Sequence, residues 1–360
     1  MAMPTSFHPL KVAEVARDTR DAVVLTFELP PSLAPAFAFR PGQYLTLRTR
    51  VGGEALRRSY SICSSPGDGV LRVAIKRMDD GAFSSWANRE IKPGMVIEVM
   101  PPDGAFTVPF DPGNAHHYVA FAVGSGITPV YSLIKTALET EPHSRFTLFY
   151  GNRASSSVLF REPLEDLKNR HMGRFALCHV MSREAQDVDL FNGRLDGDKV
   201  RRLLTQWLRV RDLDYVFLCG PQAMVEEVVP VLQALGIPSE RIKYELFGAP
   251  RGPRAPASRP AAPGSAQCRV TVVQDGHRRS FSIDKNRDSV LDAALAQGIE
   301  LPYSCKGGVC STCRCKVVEG EVDMDANFAL EDYEVARGFV LSCQSYPVSD
   351  TLVLDFDQET

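Results

Sequence analysis

Apolar and polar positions follow a different pattern in successive stretches of the chain. Before residue 111, the apolar runs are short, rich in β-branched and aliphatic residues, and bounded by proline and glycine. This texture is typical of antiparallel strands. The predicted strands are Val24–Leu29, Gln43–Arg50, Val70–Arg77 and Val96–Met100. No long helix is predicted here, and the pattern favours a small antiparallel β-barrel.

From residue 112 to residue 247, apolar runs alternate with segments of helical length. The predicted strands are Tyr118–Val123, Arg145–Tyr150, Phe175–Met181, Tyr215–Cys219 and Ile242–Leu246. Because these runs are nearly continuous in apolar residues, we expect both faces of each strand to be buried. Strands that alternate with helices predict a parallel sheet of the nucleotide-binding type.

A proline-rich stretch separates this region from the C-terminal part of the chain. Gly248 to Ala266 contains five prolines, three arginines and no acidic residue. Such a composition predicts a semi-extended linker. We therefore expect four segments: a β-barrel over 1–111, an α/β domain over 112–247, a linker over 248–266 and a further domain over 267–360.

Composition and charge exclude several classes of protein. The 360 residues are 44% hydrophobic with a net charge of −3, and no basic arm is present, so a nucleic-acid partner is not expected. The N-terminus lacks a charged segment followed by an apolar core, and no run approaches the roughly 18 apolar residues that span a bilayer. We expect a cytoplasmic protein with no membrane partner, whose nine cysteines are thiols or metal ligands.

The charge is unevenly distributed along the chain. Residues 267–360 carry nine Lys and Arg against sixteen Asp and Glu, a net charge of −7, so the remainder has a net charge of +4. Seven of the carboxylates are Glu319, Glu321, Asp323, Asp325, Glu331, Asp332 and Glu334. They form either a face that docks on a basic partner or an ordinary solvated surface.

Four cysteines have the spacing of metal ligands. They are Cys305, Cys310, Cys313 and Cys343. The C-x4-C-x2-C run with a distant fourth cysteine is the ligand pattern of a plant-type [2Fe-2S] cluster. Gly307 and Gly308 would allow the left-handed backbone that turns N–H groups toward the sulfurs. A structural zinc site is the alternative, although zinc ligands usually form two CxxC pairs and only one is present here.

The β-barrel region carries residues that suit a flavin. Arg58-Ser-Tyr-Ser61 lies at the end of a strand, where an arginine can bind phosphate and a tyrosine can lie against an aromatic ring. Gly81 and Ser84 lie where a short helix could begin, and the N–H groups of a helix start favour a pyrophosphate. Each motif taken singly is equally compatible with an ordinary strand end or an N-capped turn.

Two strand ends in the α/β region carry small residues followed by a helix. Gly124-Ser-Gly-Ile-Thr-Pro129 precedes a predicted helix over Val130–Leu138, and its glycines allow a nucleotide to approach the backbone. Proline in the first helical turn is favourable because its missing N–H has no partner there. Cys219-Gly-Pro repeats the arrangement before a helix that we expect to end at Gly236.

These motifs occur in an order that resembles the ferredoxin–NADP reductase superfamily over Lys11 to Phe247. With the linker and the cysteine loop, the layout resembles the single-chain reductases of multicomponent oxygenases. The resemblance implies a multidomain protein: an antiparallel β-barrel flavin domain, an α/β parallel-sheet nucleotide-binding domain and an α+β β-grasp ferredoxin domain. It implies FAD rather than FMN, a [2Fe-2S] cluster, and NADPH rather than NADH.

The resemblance also assigns residues to each cofactor. It places Arg58, Tyr60, Ser61, Gly81 and Ser84 at the flavin. It places Gly124, Ser125, Gly126, Thr128, Cys219 and Phe247 at the nicotinamide nucleotide. Ser182-Arg183 and Arg153 follow two predicted strands and resemble the clamp that binds an adenosine 2′-phosphate, although exposed arginines at strand ends are common.

The function implied by the resemblance is electron transfer from NADPH through FAD and a [2Fe-2S] cluster to a di-iron oxygenase. The reductase of a Rieske dioxygenase or of another di-iron monooxygenase stays open, because these reductases share the architecture. A zinc-stapled, non-catalytic binding module is the alternative from a different class. We expect no general acid or base, since the cofactors would carry the chemistry.

Overall fold

The computed structural model describes residues 6–247, 267–285 and 287–358, which form two compact units. The first unit contains most of residues 7–247, and the second contains the C-terminal residues from 267 onward. The predicted linker over 248–266 lies outside the described residues. None of the described helices is both long and apolar enough to cross a membrane.

The first part of the chain forms an antiparallel sheet of six strands in the order β4-β3-β6-β1-β2-β5. Its elements are β1 His8–Thr19, β2 Ala22–Glu28, β3 Tyr44–Val51, β4 Glu54–Ser61, β5 Leu71–Lys76, α1 Ala82–Glu90 and β6 Val96–Val99. Directly after β4, Ile62 bridges to Val73 of β5, which joins the two edges of the sheet into a barrel. The predicted β-barrel is confirmed, and β1 is a long strand that the pattern did not reveal because polar residues alternate along it.

The next part is a parallel sheet of five strands in the order β11-β10-β7-β8-β9. Its elements are β7 His117–Val123, α2 Ile127–Thr140, β8 Arg145–Asn152, α3 Arg161–Arg170, β9 Phe175–Met181, α4 Gly197–Trp207, β10 Tyr215–Gly220, α5 Gln222–Ala234 and β11 Ile242–Leu246. The five strands are those that the sequence predicted, but the expectation that both faces of each are buried is wrong for β9 and β11. These two are partly exposed because they form the edges of the sheet. Helix α2 starts three residues earlier than expected, so Pro129 lies inside its first turn, where the missing N–H costs no hydrogen bond.

The barrel and the parallel sheet share one hydrophobic core within the first unit. Phe106 and Val108 of the barrel region belong to the same buried cluster as Tyr118, Ile127 and Phe217 of the sheet. Polar contacts reinforce this packing: the Ser132 hydroxyl on α2 donates to the Ser64 carbonyl at 2.6 Å. The strand ends of the sheet are therefore held in a fixed place relative to the barrel.

The C-terminal unit is a mixed sheet of five strands in the order β13-β12-β18-β14-β16, with a separate pair β15-β17. Its elements are β12 Gln267–Gln274, β13 His277–Asp284, α6 Val290–Ala296, β14 Arg314–Glu319, β15 Val322–Met324, α7 Asp332–Ala336, β16 Phe339–Leu341, β17 Ser345–Pro347 and β18 Thr351–Asp355. Helix α6 packs on this sheet through a core that includes Val270, Leu291 and Leu354. This is the expected α+β ferredoxin fold.

Candidate functional site

The parallel sheet has a topological switch point between β7 and β10. The chain runs from β7 through β8 to β9 on one side, and then returns to place β10 on the other side of β7. Ligands of open α/β sheets bind at the carboxyl ends of the strands at such a point. The turn Gly124–Gly126 and the end of β10 at Gly220 both lie there, as the motif order predicted.

The two glycines of the first turn at the switch point have different surroundings: Gly126 is packed too tightly for a side chain, whereas Gly124 adjoins open space. A Cβ atom on Gly126 would lie 2.1 Å from the Cys219 carbonyl oxygen, so only glycine lets the two turns meet. Gly124 has φ +58°, and a Cβ atom there would meet nothing within 4 Å. The space beside Gly124 fits a nucleotide that approaches the main chain, as the predicted role requires.

The other residues that are predicted to bind the nucleotide form part of the turns at the switch point. The Thr128 hydroxyl donates to the Ser125 carbonyl at 3.1 Å, and Thr128 is buried. Cys219 is fully buried, and burial raises the pKa of its thiol well above the usual range. The Phe247 N–H donates to the Gly220 carbonyl at 3.1 Å, so Phe247 continues β11 along the same edge. These contacts fix the shape of the switch point.

The predicted flavin residues on β4 have different environments. Arg58 is exposed, and its guanidinium donates to the Arg57 carbonyl at 2.6 Å. Tyr60 is half-buried, with its ring centroid 5.6 Å from that of Phe83 on α1. Ser61 is buried, and its hydroxyl donates to Glu245 at 3.1 Å. An exposed cation and a half-buried ring two residues apart on one strand fit the phosphate and ring of a flavin.

Helix α1 starts where the sequence predicted a short helix. A Cβ atom on Gly81 would lie 2.4 Å from the Ser84 hydroxyl. That hydroxyl accepts from the Met78 N–H at 3.0 Å and donates to the Gly81 carbonyl at 3.2 Å. The side chain of Ser84 therefore shapes the turn, which leaves the backbone N–H groups of the first helical turn as the groups that could bind a pyrophosphate.

Glu245 is a carboxylic acid among the predicted site residues that no sequence motif singled out. It lies on β11, accepts the Ser61 hydrogen bond, and influences the ionisation of Cys219. Burial raises the pKa of Glu245 to about 7. A carboxyl group thus lies between a predicted flavin residue and a predicted nucleotide residue. The available signal was a single acidic residue within a strand that the pattern predicted to be buried.

The predicted 2′-phosphate residues are brought together by the ends of β8 and β9. The Arg183 N–H donates to the Arg153 carbonyl at 2.8 Å, and the Ser182 N–H donates to the Asn152 carbonyl at 2.9 Å. Both arginine side chains are exposed. Glu184, which no motif singled out, accepts from the Ser155 N–H at 2.7 Å and from its hydroxyl. Two arginines and one carboxylate therefore lie near one another at the ends of β8 and β9.

The four predicted ligand cysteines form two pairs of sulfurs. The Cys310 and Cys305 sulfurs are 3.2 Å apart, and the Cys313 thiol hydrogen-bonds with the Cys343 sulfur. These hydrogen bonds lower the pKa of Cys305 and of Cys343 and raise the pKa of their partners Cys310 and Cys313, so in each pair one sulfur more readily becomes the thiolate that binds metal. Two cysteines for each iron is what a binuclear cluster requires, so the donor set fits [2Fe-2S].

This pairing differs from a site built for one ion. Within residues 6–247, 267–285 and 287–358, no group of three or more His, Cys, Asp or Glu side chains is arranged around a single metal position. Cys315 is 1% exposed and belongs to the core beneath the loop. It is therefore packed as a small apolar side chain.

One detail of the predicted cysteine loop is wrong. Gly308 has φ +73°, as expected, but the second left-handed residue is Lys306 with φ +55° rather than Gly307. The Lys306 ammonium pairs with Asp292 of the α6 helix at 2.7 Å. The Gly307 N–H still faces the Cys305 sulfur at 3.3 Å. Lys306 is thus a non-glycine residue in a backbone conformation that glycine would adopt more readily.

One residue of the predicted acidic surface of the C-terminal unit is buried. Glu334 is buried, pairs with Arg314 at 3.0 Å, and accepts from the Glu331 N–H at 2.9 Å at the start of α7. It therefore caps the helix and cannot belong to a docking face. The exposed acidic residues of this run are Glu319, Glu321, Asp323 and Asp332.

Comparison with known families matches each part of the chain. Residues 9–108 match the model of the oxidoreductase FAD-binding domain, and residues 121–229 match that of the oxidoreductase NAD-binding domain. Residues 272–348 match the 2Fe-2S iron-sulfur cluster binding domain. This last match supports the iron–sulfur interpretation of the four cysteines over the zinc alternative.

Curated relatives and solved structures cover nearly the whole chain. One component of the 1,2-phenylacetyl-CoA epoxidase of Escherichia coli (strain K12) is 47% identical over 98% of each chain. The ferredoxin reductase component of the 3-ketosteroid-9-alpha-monooxygenase of Rhodococcus rhodochrous is 34% identical over 96% of each chain. The crystal structure of phthalate dioxygenase reductase is 25% identical, with a TM-score of 0.58, over 97% of this chain and 98% of that one.

Proposed function

The chain belongs to the family of oxygenase reductases that join FAD-binding and NAD-binding domains to a [2Fe-2S] domain, and on this premise we propose its electron donor and acceptor. As a member of this family it transfers electrons from a nicotinamide nucleotide through FAD to the cluster. We propose that NADPH is the donor and that a di-iron oxygenase, an epoxidase of phenylacetyl-CoA in phenylacetate catabolism, is the acceptor.

The identity of the acceptor rests on one observation. The relative from the 1,2-phenylacetyl-CoA epoxidase is 47% identical over 98% of this chain, whereas the steroid monooxygenase reductase is 34% identical over 96%. A reductase does not bind the organic substrate, so its own surface has to distinguish one oxygenase from another. The higher identity over the same length supports the epoxidase as the partner.

We propose the following division of work among the residues. Arg58, Tyr60 and Ser61, with the first turn of α1, hold the flavin, which accepts a hydride and releases single electrons when bound. Gly124, Ser125, Gly126, Thr128, Cys219 and Phe247 shape the nicotinamide site. Cys305, Cys310, Cys313 and Cys343 hold the cluster. Segments 1–111, 112–247 and 267–360 are the corresponding domains, joined by the 248–266 linker.

The preference for NADPH is supported by the charges at the ends of β8 and β9. Arg153 and Arg183 are exposed, and a main-chain hydrogen bond joins the two residues at the ends of neighbouring strands. Arginine binds phosphate through charge-assisted hydrogen bonds. Glu184 lies beside them and its pKa is lowered, chiefly by the Ser155 hydrogen bond, so its negative charge persists at neutral pH. This negative charge would repel a 2′-phosphate, so it opposes the preference that the two arginines support.

A cytoplasmic location is part of the proposal. All nine cysteines are free thiols in the described structure, and free thiols persist in a reducing compartment. A reducing compartment also favours the thiol form of the four proposed cluster ligands before the cluster is bound, because a disulfide between them would remove the donors. NADPH, the proposed donor, is a soluble molecule that can reach the exposed arginines from solvent.

Reconstitution with the purified proteins of the oxygenase tests the acceptor. With the epoxidase, NADPH and phenylacetyl-CoA, we expect epoxide formation coupled to NADPH oxidation. Raised salt should slow this reaction about tenfold by screening Glu319, Glu321, Asp323 and Asp332, while reduction of a small acceptor stays unchanged. Turnover with a Rieske oxygenase and none with the epoxidase would overturn the assignment.

A further inference from the structure

Gln344 follows the fourth cysteine ligand and is held on both sides by its main chain. Its N–H donates to the Leu341 carbonyl at 2.8 Å, and its carbonyl accepts from the Asp325 N–H at 2.9 Å. A Cβ atom on Gly308 would lie 3.2 Å from the Gln344 side chain. The glutamine side chain therefore lies directly over the ligand loop, in space that a glycine leaves open.

The side-chain amide of Gln344 faces three acceptors. Its Nε2 is 3.0 Å from the Lys306 carbonyl oxygen, 3.0 Å from the Cys343 carbonyl oxygen and 3.6 Å from the Cys343 sulfur. An amide has only two N–H groups, so at least one is shared. One side chain thus connects the fourth cysteine to the loop that carries the first three. It also directs an N–H group at the sulfur of Cys343, a proposed cluster ligand.

The Lys306 carbonyl is a well-defined anchor for this contact. Lys306 has the left-handed φ of +55°, and its ammonium is paired with Asp292 at 2.7 Å. The amide cannot leave the Lys306 carbonyl without losing the hydrogen bond to it. Its position relative to the Cys343 sulfur is therefore linked to the backbone of the cysteine loop.

We infer that Gln344 is a positioning residue that raises the reduction potential of the [2Fe-2S] site. A hydrogen bond to a ligand sulfur stabilises the more negatively charged reduced state, and such bonds are among the determinants of cluster potential. The inference deepens the proposed function and rests on the assignment of the four cysteines as ligands. Without Gln344, the cluster would be harder to reduce by the same flavin.

Three substitutions in the full-length protein separate charge from hydrogen bonding. Gln344→Met removes the N–H groups without adding charge, Gln344→Glu replaces them with a negative charge, and Gln344→Lys retains N–H donors with a positive charge. The matched control is Gln297→Glu, since Gln297 lies in the same unit but donates to the Ser282 carbonyl at 2.9 Å, away from the cysteine loop. The measurement is a redox titration of the cluster by EPR.

We expect the potential to follow the order Gln344→Glu, Gln344→Met, wild type, Gln344→Lys, from lowest to highest. Gln344→Met should shift the one-electron equilibrium about two- to tenfold, the range of one net hydrogen bond, where tenfold is 59 mV. Gln297→Glu should stay near the wild-type value. A purely structural role would change the cluster content of the preparation but leave the midpoint of the intact clusters unmoved.

Distinct outcomes identify which claim fails. If the variants keep their clusters and share the wild-type midpoint, or follow another order, the role of Gln344 is wrong and the proposed function stands. Loss of the cluster from all three variants, including the donor-retaining Gln344→Lys, also overturns it. A wild-type protein without the EPR signal of a reduced [2Fe-2S] cluster would instead overturn the ligand assignment itself.

Discussion

The cysteine loop and the nucleotide switch point are built in opposite ways. The loop gathers three of the four proposed ligand cysteines within nine residues, and the proposal assigns the function to their sulfur atoms. The switch point collects backbone from Gly124 and Gly220, far apart in the chain, and works mainly through the absence of side chains. The first kind of site is visible as a spacing of residue types, and the second requires the topology of the sheet.

The contrast predicts that each site can be lost without the other. Cys310→Ser should abolish the visible and EPR bands of the cluster and one-electron delivery to cytochrome c. Oxidation of NADPH by a small two-electron acceptor should stay nearly intact, because Cys310 belongs to the C-terminal unit. Absorbance spectroscopy and the two steady-state assays check this. Loss of flavin reduction in Cys310→Ser would show that the sites depend on each other.

The reverse experiment targets the backbone of the switch point. Gly126→Ala would place a Cβ atom 2.1 Å from the Cys219 carbonyl oxygen and force the two turns apart. We expect a loss of roughly 1–3 kcal/mol in the free energy of unfolding of the first unit, with weaker nucleotide binding and an unchanged cluster spectrum. Denaturant unfolding followed by flavin fluorescence provides the measurement.

A matched control distinguishes this clash from a general effect of removing glycine. Gly173 lies in an open turn, and a Cβ atom there would meet nothing within 4 Å. Gly173→Ala should leave stability and nucleotide binding near wild type. If the two variants were equally stable, the turns at Gly126 would have space for a side chain, and the predicted clash would be wrong.

A substitution of Arg183, at the end of β9, tests whether side chains add nucleotide specificity to a site that is formed mainly by backbone atoms. Arg183→Ala should weaken NADPH binding about 10- to 100-fold and spare NADH, because it removes a charge-assisted bond to the 2′-phosphate alone. Isothermal titration with each nucleotide gives the comparison, and Arg202→Ala, an exposed arginine on α4, is the control. A similar loss of affinity for both nucleotides would contradict the clamp.

Glu245 should give the smallest effect, and one that depends on pH. Burial raises its pKa to about 7 from the ordinary value near 4.5. The folded state therefore binds more protons than the unfolded state between these values, and stability falls as pH rises through that window. An amide in place of the carboxyl group does not titrate, so Glu245→Gln should gain stability relative to wild type from pH 5 to pH 8. A pH-independent difference in melting temperature would contradict the assigned burial.

The fold was largely predictable from sequence because its strands are apolar on one or both faces. The central strands β7, β8 and β10 are buried and read as continuous apolar runs. Strand β1 alternates with polar residues and was missed. The boundaries of α2 shifted because the Gly124–Gly126 turn leads directly into the helix. Hydrophobic periodicity locates the body of an element more reliably than its ends.

The sites were predictable only as far as residue type and local spacing carry the chemistry. The four cysteines could be proposed as cluster ligands from their spacing alone, and the structure brings their sulfurs together in two pairs. Glu245, Glu184 and Gln344 were missed, because each acts through a partner far away in sequence or through geometry. Glu334 was assigned to the surface, and only its contact with Arg314 reveals that it is a buried cap.

The order of electron flow is the central claim, and anaerobic rapid mixing with NADPH tests it most directly. Flavin absorbance reports the first acceptor, and EPR of freeze-quenched samples reports the cluster. We predict that the flavin is bleached before the cluster signal grows, and that protein stripped of flavin shows no cluster signal with NADPH. Reduction of the cluster by NADPH in the absence of flavin would contradict the account.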